Sequence, residues 1–112
     1  MRINDNPLLM TLGLSKKAGK LICGTPLVCR ALSSAQPPSL VVMSAYASDN
    51  TRKKIKDKCT YYDVRLYELD AQPEDISRAI GGQASVAAVA ICDGGLGRLF
   101  MDRAKIENRN EE

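Results

Sequence analysis

The sequence of 112 residues contains no histidine, no tryptophan and a single phenylalanine. Without histidine, the chain lacks the side chain that most often acts as the base in Ser–His and Cys–His catalysis. No uncharged apolar run approaches the length of about eighteen residues that a membrane-spanning helix needs. These absences argue against the commonest catalytic pairs and against a membrane span, and we predict that the protein is not an enzyme.

Cysteine is present but is not arranged as a metal or disulfide motif. The four cysteines, at positions 23, 29, 59 and 92, include no Cys-x-x-Cys pair. A zinc site would need one thiol from each of four separate elements, so we predict no metal and no cofactor. Apolar neighbours predict that Cys23, Cys59 and Cys92 are small core residues, with a reactive thiol as the alternative. Unpaired thiols favour a reducing compartment, so we predict a cytoplasmic protein.

Charge is distributed unevenly along the chain. Residues 1–60 hold ten Lys/Arg against three Asp/Glu, whereas residues 61–112 hold six against ten. An asymmetry of this kind suggests one side that faces a polyanion, although a solvated basic face is a common alternative. The densest basic run, residues 50–58, has no interleaved aromatics, so we expect it to steer RNA from a distance more than to contact it.

Hydrophobic patterning predicts five helices and four strands in strict alternation. The helices are expected at about 7–18, 26–35, 50–62, 73–80 and 94–105, and the strands at about 20–23, 40–43, 64–69 and 86–92. Asn6 and Asp93 are the expected caps of the first and fifth helices, and the segment Ser48-Asp49-Asn50 is expected to supply the cap of the third. We predict an α/β fold: a three-layer α/β/α sandwich with a small four-stranded mixed sheet. We expect residues 1–112 to form one domain, with a core at about 7–106 and a frayed polar tail at 107–112.

The junction between the first two helices is the most informative stretch. Gly24 removes a side chain where the second helix begins, Thr25 is expected to cap that helix, and Pro26 suits its first position. A helix start of this kind, flanked by Lys20 and Arg30, can receive a phosphate or a base edge. The alternative is an ordinary junction between two helices, since most capped helices bind no ligand.

Two other segments have local chemistry that could attract a ligand. The turn Asp93–Gly97 follows a strand and opens a helix, but its spacing is not that of a nucleotide-binding loop, so a steric role is favoured. The loop 81–87 is small and partly apolar, and loops at strand ends often hold binding sites. Taken alone, that loop would be interpreted as a connector.

Three stretches together resemble the kink-turn RNA-binding superfamily, the group of ribosomal proteins L-seven-Ae and L-thirty-e. They are Gly19–Thr25, the strand 40–43 with Ala47–Thr51 after it, and Val86–Ile91. Residues 48–54 and 57–62 are similar to short bacterial members of that group. The resemblance covers about residues 7–106 and agrees with the predicted order of elements.

The resemblance implies a set of RNA-binding positions. In the family, a glycine and the first turn of the second helix enter the groove beside tandem G·A pairs, and a small loop before the last strand packs on an extruded nucleotide. Carried over by position, the residues are Lys20, Gly24, Thr25, Pro26, Leu27 and Arg30 at the helix start and Ala84, Ser85, Val86 and Ala87 in the loop. Strong binders have an Asn-Glu pair where this chain has Pro26 and Leu27, so base discrimination is expected to be weaker. The N–H groups of Leu27 and Val28 are expected to remain available.

The implied function is binding of kink-turn or internal-loop RNA by a monomeric, non-catalytic protein associated with the ribosome. A second hypothesis is a protein-interaction module on the same fold that has lost base-specific readout. A third is a small thiol or nucleotide enzyme, which a strongly acidic cysteine would support.

Overall fold

A computed structural model describes residues 6–82 and 84–111, with side chains up to residue 106. The helices are α1 Pro7–Lys17, α2 Thr25–Leu32, α3 Asp49–Tyr61, α4 Pro73–Ala79 and α5 Gly94–Glu111. The strands are β1 Leu21–Cys23, β2 Leu40–Ser44, β3 Leu66–Leu69 and β4 Ala88–Ile91. The predicted alternation of helices and strands is confirmed over this part of the chain.

The four strands form one mixed sheet in the order β1-β4-β2-β3. β4 is antiparallel to both of its neighbours, whereas β2 and β3 are parallel. The carboxyl ends of β1, β2 and β3 therefore meet the amino end of β4 at one end of the sheet. We call this the site end, because Gly24 and the loop 84–87 lie there. The opposite end, where Lys20, Ser39, Arg65 and Cys92 flank the strands, is called the far end.

Helices cover both faces of the sheet. On one face, Val28 of α2 and Ile55 of α3 are fully buried against Val41 and Met43 of β2. On the other face, Leu12 of α1, Ile76 of α4 and Phe100 of α5 pack with the remaining strand side chains. β2 and β4 are buried at every position because both of their faces are covered. The predicted three-layer sandwich is confirmed.

Local capping chemistry fixes where three of the helices begin. The Asn6 side chain accepts hydrogen bonds from the N–H groups of residues 8 and 9, at 2.9 and 3.2 Å. The Ser48 hydroxyl accepts one from Thr51, and the Asp93 carboxylate accepts one from Leu96 at 2.9 Å. The predicted caps Asn6 and Asp93 are confirmed, and within the predicted segment 48–50 the cap is Ser48. Each of these side chains satisfies an N–H that has no intrahelical partner.

Several predicted boundaries are wrong. α2 ends at Leu32 rather than near residue 35. Directly after Leu32, the Ser33 and Ser34 hydroxyls donate hydrogen bonds to carbonyls of the last turn. α5 continues to Glu111 and therefore ends later than the predicted residue 105. Cys92 is exposed rather than buried, because it follows the last residue of β4. In the described part of the chain, every helix is too short or too polar to span a lipid bilayer.

Candidate nucleic-acid interface

Gly24 sets the geometry of the helix start at the site end. Its φ of 99° and ψ of 140° lie in a region that is nearly restricted to glycine. A Cβ at this position would meet no atom within 4 Å, so backbone conformation and not crowding requires glycine. The Gly24 N–H donates to the carbonyl of Ala88 at 2.9 Å, and its own carbonyl accepts from Val28 at 2.9 Å. These two bonds fix α2 to the beginning of β4.

The prediction that Thr25 caps α2 is wrong. Gly24 occupies the N-cap position, Thr25 is the first helical residue and Pro26 the second, and no side chain caps the helix. The Val28 N–H bonds to Gly24, so the expectation that it remains available is also wrong. Since proline has no N–H, the uncapped donors of this first turn are those of Thr25 and Leu27. The positive end of the α2 dipole is therefore open at the site end.

The structure brings the predicted loop next to this helix start. Ala87 accepts a 2.8 Å hydrogen bond from the N–H of Ser44, and the Val86 N–H donates to the Pro73 carbonyl at 3.1 Å. Ala84 and Ser85 are exposed, whereas Val86 and Ala87 are half-buried. Because the next residue is the acceptor for Gly24, the loop 84–87 lies directly beside the α2 start. The two parts that were separated by sixty residues in the sequence thus form one surface.

Lys20 is not brought to that surface. It precedes β1, so its backbone lies at the far end, roughly 13 Å from Gly24 at the rise of an extended strand. The Lys20 carbonyl accepts a 2.8 Å hydrogen bond from Cys92, which also lies at the far end. Partial desolvation raises the pKa of the Cys92 thiol, and the Lys20 charge opposes that shift, which places the ammonium near Cys92. The prediction that Lys20 flanks Gly24 is therefore wrong, because the two residues lie at opposite ends of the sheet.

Cations at the interface come from the layer formed by α2 and α3. Arg30, exposed on α2, and Lys53 and Lys54, exposed on α3, have no ion-pair partner among the side chains described. The other α3 cations near the sheet edge, Arg52 and Lys56, both pair with Glu68 at 3.3 and 3.5 Å. The positive charge that Arg52 and Lys56 carry is thus partly neutralised by Glu68, whereas that of Arg30, Lys53 and Lys54 is not.

The opposite helical layer presents carboxylates at the same end. Asp70 follows β3, and Glu74 and Asp75 occupy the first turn of α4, where acids suit the helix dipole. Among the side chains that the structure describes, Asp75 is the one of these three carboxylates with a cationic partner, Arg78 at 3.7 Å. A polyanion at the site end is therefore drawn toward α2 and α3 and repelled from α4.

Tyr46 is a functional candidate that the sequence analysis missed. Its side chain is 54% exposed in the loop after β2. The hydroxyl donates to the Asp70 carboxylate at 2.5 Å, and the Tyr46 N–H donates to the Ser44 hydroxyl. The hydrogen bond to Asp70 and the charge of that carboxylate raise the pKa of Tyr46 above its ordinary value. The hydrogen bond to Asp70 thus holds the ring at the site end. The sequence analysis missed Tyr46 because a single aromatic residue in a loop produces no periodic pattern.

The surface at the site end is small, apolar and aromatic, with cations on one flank. Leu27 is 50% exposed on the first turn of α2, next to the exposed Pro26. Exposed apolar and aromatic groups suit the faces of unstacked bases, whereas the cations suit backbone phosphates. No cluster of three potential metal-ligating side chains occurs among the described residues. The fold and this surface define a small α/β/α domain with a candidate nucleic-acid interface at the site end.

Comparison with known proteins identifies the family. The sequence profile of the ribosomal protein L7Ae/L30e/S12e/Gadd45 family matches residues 8–99. The chain is 38% identical over 84 residues to the RNA-binding protein YlxQ of Bacillus subtilis (strain 168), covering 75% of this chain and 81% of that protein. It is 35% identical over 86 residues to YlxQ of Enterococcus faecium, covering 77% and 82%. The chain belongs to the L7Ae/L30e/S12e/Gadd45 family, whose members are in general RNA-binding and non-catalytic.

Solved structures agree with the assignment of the fold. A protein of unknown function from Bacillus halodurans superposes with a TM-score of 0.81 at 28% identity, covering 90% of this chain and 99% of that one. The 15.5kD RNA binding protein of Giardia lamblia superposes with a TM-score of 0.72 at 16% identity, covering 91% and 86%. At 16% identity, the superposition on the Giardia lamblia protein supports the fold alone. The resemblance drawn from the sequence is thus confirmed at the level of family and fold.

Proposed function

We propose that this protein binds structured RNA through the start of α2 and the loop 84–87, and that it acts without catalysis, as a monomer in the cytoplasm. The observation that carries the proposal is the hydrogen bond from Gly24 to Ala88, which holds these two parts side by side at the site end. The relatives named as RNA-binding proteins support it. The lack of histidine supports a binding role over a catalytic one.

RNA approaches through electrostatic attraction that the α2–α3 layer provides. Arg30, Lys53 and Lys54 are free to meet phosphates, and neutralising phosphates releases counterions, which drives association. The carboxylates of the α4 side disfavour a duplex on that flank. The charge distribution therefore sets the side on which the RNA backbone runs.

Docking then uses the α2 start and the loop. The N–H groups of Thr25 and Leu27, which no side chain caps, are available to a phosphate or a base edge, as helix starts are in anion sites. Leu27 and Val86 offer apolar contact to an exposed base face, and Tyr46 offers a ring on which a further base can stack. A regular duplex hides its base faces, so this surface favours RNA with unstacked nucleotides.

The proposed RNA is a kink-turn or another internal loop, in the context of the ribosome. Support comes from the family, which is named for ribosomal proteins, and from the apolar loop that suits an extruded nucleotide. Pro26 and Leu27 have no polar side-chain groups with which to read base edges. We therefore expect recognition of backbone shape more than of base identity.

The test is the affinity of the full chain for a kink-turn RNA and for a straight duplex of equal length, measured by fluorescence anisotropy at two salt concentrations. We expect the kink-turn RNA to bind at least about tenfold tighter at both, a difference of about 1.4 kcal/mol. Equal affinities that both vanish at high salt would reduce the interaction to nonspecific charge.

The exposed Pro26 and Leu27 also favour one alternative, a protein-interaction surface at the same place. Such a module would retain a protein partner on purification and would bind neither RNA. That outcome would replace RNA by protein as the partner of the site end.

A further inference from the structure

A second basic cleft lies at the far end of the sheet. It encloses about 360 Å³ between the beginnings of β2 and β3 and the first three turns of α5. Leu40 and Met101 contribute apolar side chains to its lining. Arg65, Arg98 and Lys105 contribute three cations, and all three are exposed. None of these residues belongs to the interface at the site end.

The concentration of cations here is unexpected, because residues 61–112 are acidic overall, with only six Lys/Arg. Three of those six line this one cleft. Of the others, Arg78 pairs with Asp75, Arg103 donates to the Thr11 hydroxyl at 2.8 Å, and the Arg109 side chain lies outside the described part.

Within the described part of the chain, the cleft cations have no ion-pair partner. No carboxylate among the described side chains lies within the 4.0 Å ion-pair distance of Arg65, Arg98 or Lys105. One acid, Asp102, also lines the cleft. Three cations and one carboxylate leave a net positive charge around a partly apolar hollow, which is an arrangement that attracts anions.

Two glycines of α5 shape the hollow. A Cβ on Gly97 would lie 3.4 Å from the Ser39 Cβ, so this glycine lets α5 pack closely onto the beginning of β2. A Cβ on Gly94 would meet no atom within 4 Å, so the backbone there is open to the cleft. The Asp93 carboxylate caps Leu96 and offsets part of the positive helix end. The side-chain cations, more than the helix dipole, therefore provide the attraction.

We propose that this cleft binds phosphate groups, with the Arg65 and Arg98 guanidinium groups donating to phosphate oxygens and Lys105 adding charge. Guanidinium groups match phosphate oxygens in paired hydrogen bonds. The phosphate can belong to an RNA strand or to a free nucleotide, since the chemistry is the same. Lys20, at the same end, extends the positive surface. The cleft and the site end lie at opposite ends of β2, about 15 Å apart. The cleft is therefore a separate site that goes beyond the proposed function.

The experiment follows amide shifts of the ¹⁵N-labelled full chain during titration with sodium pyrophosphate, AMP and a twelve-nucleotide oligouridylate. We expect the amides of Gly94, Gly97 and Arg98 to move with pyrophosphate and with one of the other two probes. Movement with oligouridylate identifies an RNA strand as the source, and movement with AMP alone identifies a nucleotide. If these amides move with none of the three probes, the proposal is wrong. That result comes from the unmodified chain and needs no variant.

Paired variants provide the matched control. Arg65→Gln with Arg98→Gln should weaken pyrophosphate binding by about tenfold or more. Lys16→Gln with Lys17→Gln, which removes two exposed cations of α1 that line neither site, should leave it within about twofold. Equal losses in both pairs would overturn the cleft as the site. The kink-turn comparison tests binding at the site end, around Gly24 and Leu27, whereas the pyrophosphate titration tests binding in the cleft. Either proposal can therefore fail while the other holds.

Discussion

The backbone N–H of Gly24 donates a 2.9 Å hydrogen bond to the carbonyl of Ala88. This bond continues the antiparallel pairing of β1 with β4 by one residue beyond the strand, because Cys23 is paired with Val89. It therefore fixes the start of α2 against the end of the loop 84–87. The candidate RNA interface depends on this relationship, and Gly24 is the residue whose replacement tests it.

Gly24→Ala should destabilise the fold. An alanine at φ 99° occupies a backbone region that costs about 1–3 kcal/mol, although the site has space for the methyl group. Denaturant unfolding measures the loss. The matched control is Gly94→Ala, which also enters open space but has no positive φ, and should change stability by less than about 0.5 kcal/mol. Equal effects of the two changes would contradict a special backbone role for Gly24.

Arg30→Gln should weaken RNA binding while leaving the unfolding midpoint unchanged, because Arg30 is exposed and has no ion-pair partner among the described residues. Removing one phosphate contact should lower the slope of log affinity against log salt by roughly 0.7–0.9. Lys17→Gln, on α1 in the other helical layer, is the control and should leave the slope unchanged. An unaltered slope for Arg30→Gln would place the phosphates elsewhere.

Tyr46→Leu should weaken binding of kink-turn RNA by about 1–3 kcal/mol if the ring stacks on a base, as measured by fluorescence anisotropy. Tyr46→Phe keeps the ring and loses only the bond to Asp70, so most of the affinity should remain. A loss in Tyr46→Phe as large as that in Tyr46→Leu would show that the hydroxyl, and not the ring face, makes the contact.

The hydrogen bond between Tyr46 and Asp70 also predicts an effect of pH on stability. Because Asp70 raises the pKa of Tyr46 in the folded state, the protonated hydroxyl is favoured there. The resulting stability is fully present below the ordinary tyrosine pKa of about 10 and is lost as pH rises through the raised value. An absorbance titration of the four tyrosines should show Asp70→Asn moving one of them to lower pH. Superimposable titrations of the two proteins would rule out the coupling.

Thiol labelling should distinguish the cysteines. Burial raises the pKa of the Cys59 thiol to about 11, whereas Cys92 is exposed. Since the thiolate is the reactive form, iodoacetamide at pH 8 should modify Cys92 first and leave Cys59 unmodified until the protein unfolds. Mass spectrometry of the digested protein locates the label. Rapid modification of Cys59 in the native protein would contradict its burial against α2.

The order of elements was predictable because the helix caps and the buried strands carry strong local signals. Asn6 with Pro7, and Ser48, mark helix starts through side-chain hydrogen bonds that involve only nearby residues. The continuous apolar run of β2 predicts an interior strand because both of its faces are covered. Local chemistry and tertiary packing agree at these positions.

The details of the site were less predictable because they depend on strand pairing and on torsion angles. Thr25 has the side chain of a cap, but the unusual φ of Gly24 makes the glycine the N-cap residue. Lys20 is near Gly24 in sequence and distant in space, since an extended strand separates them. Tyr46 and Asp70 meet because β2 pairs with β3, and that pairing leaves no local trace in the sequence.

The most direct measurement of the central claim is photocrosslinking of the full chain to a kink-turn RNA that carries 4-thiouridine at the extruded position. Peptide mapping by mass spectrometry locates the crosslinked residues. The account predicts crosslinks within residues 24–30 and 84–88, on the two parts that the Gly24–Ala88 bond holds together. Crosslinks confined to the exposed face of α3 or to the far end of the sheet would contradict it.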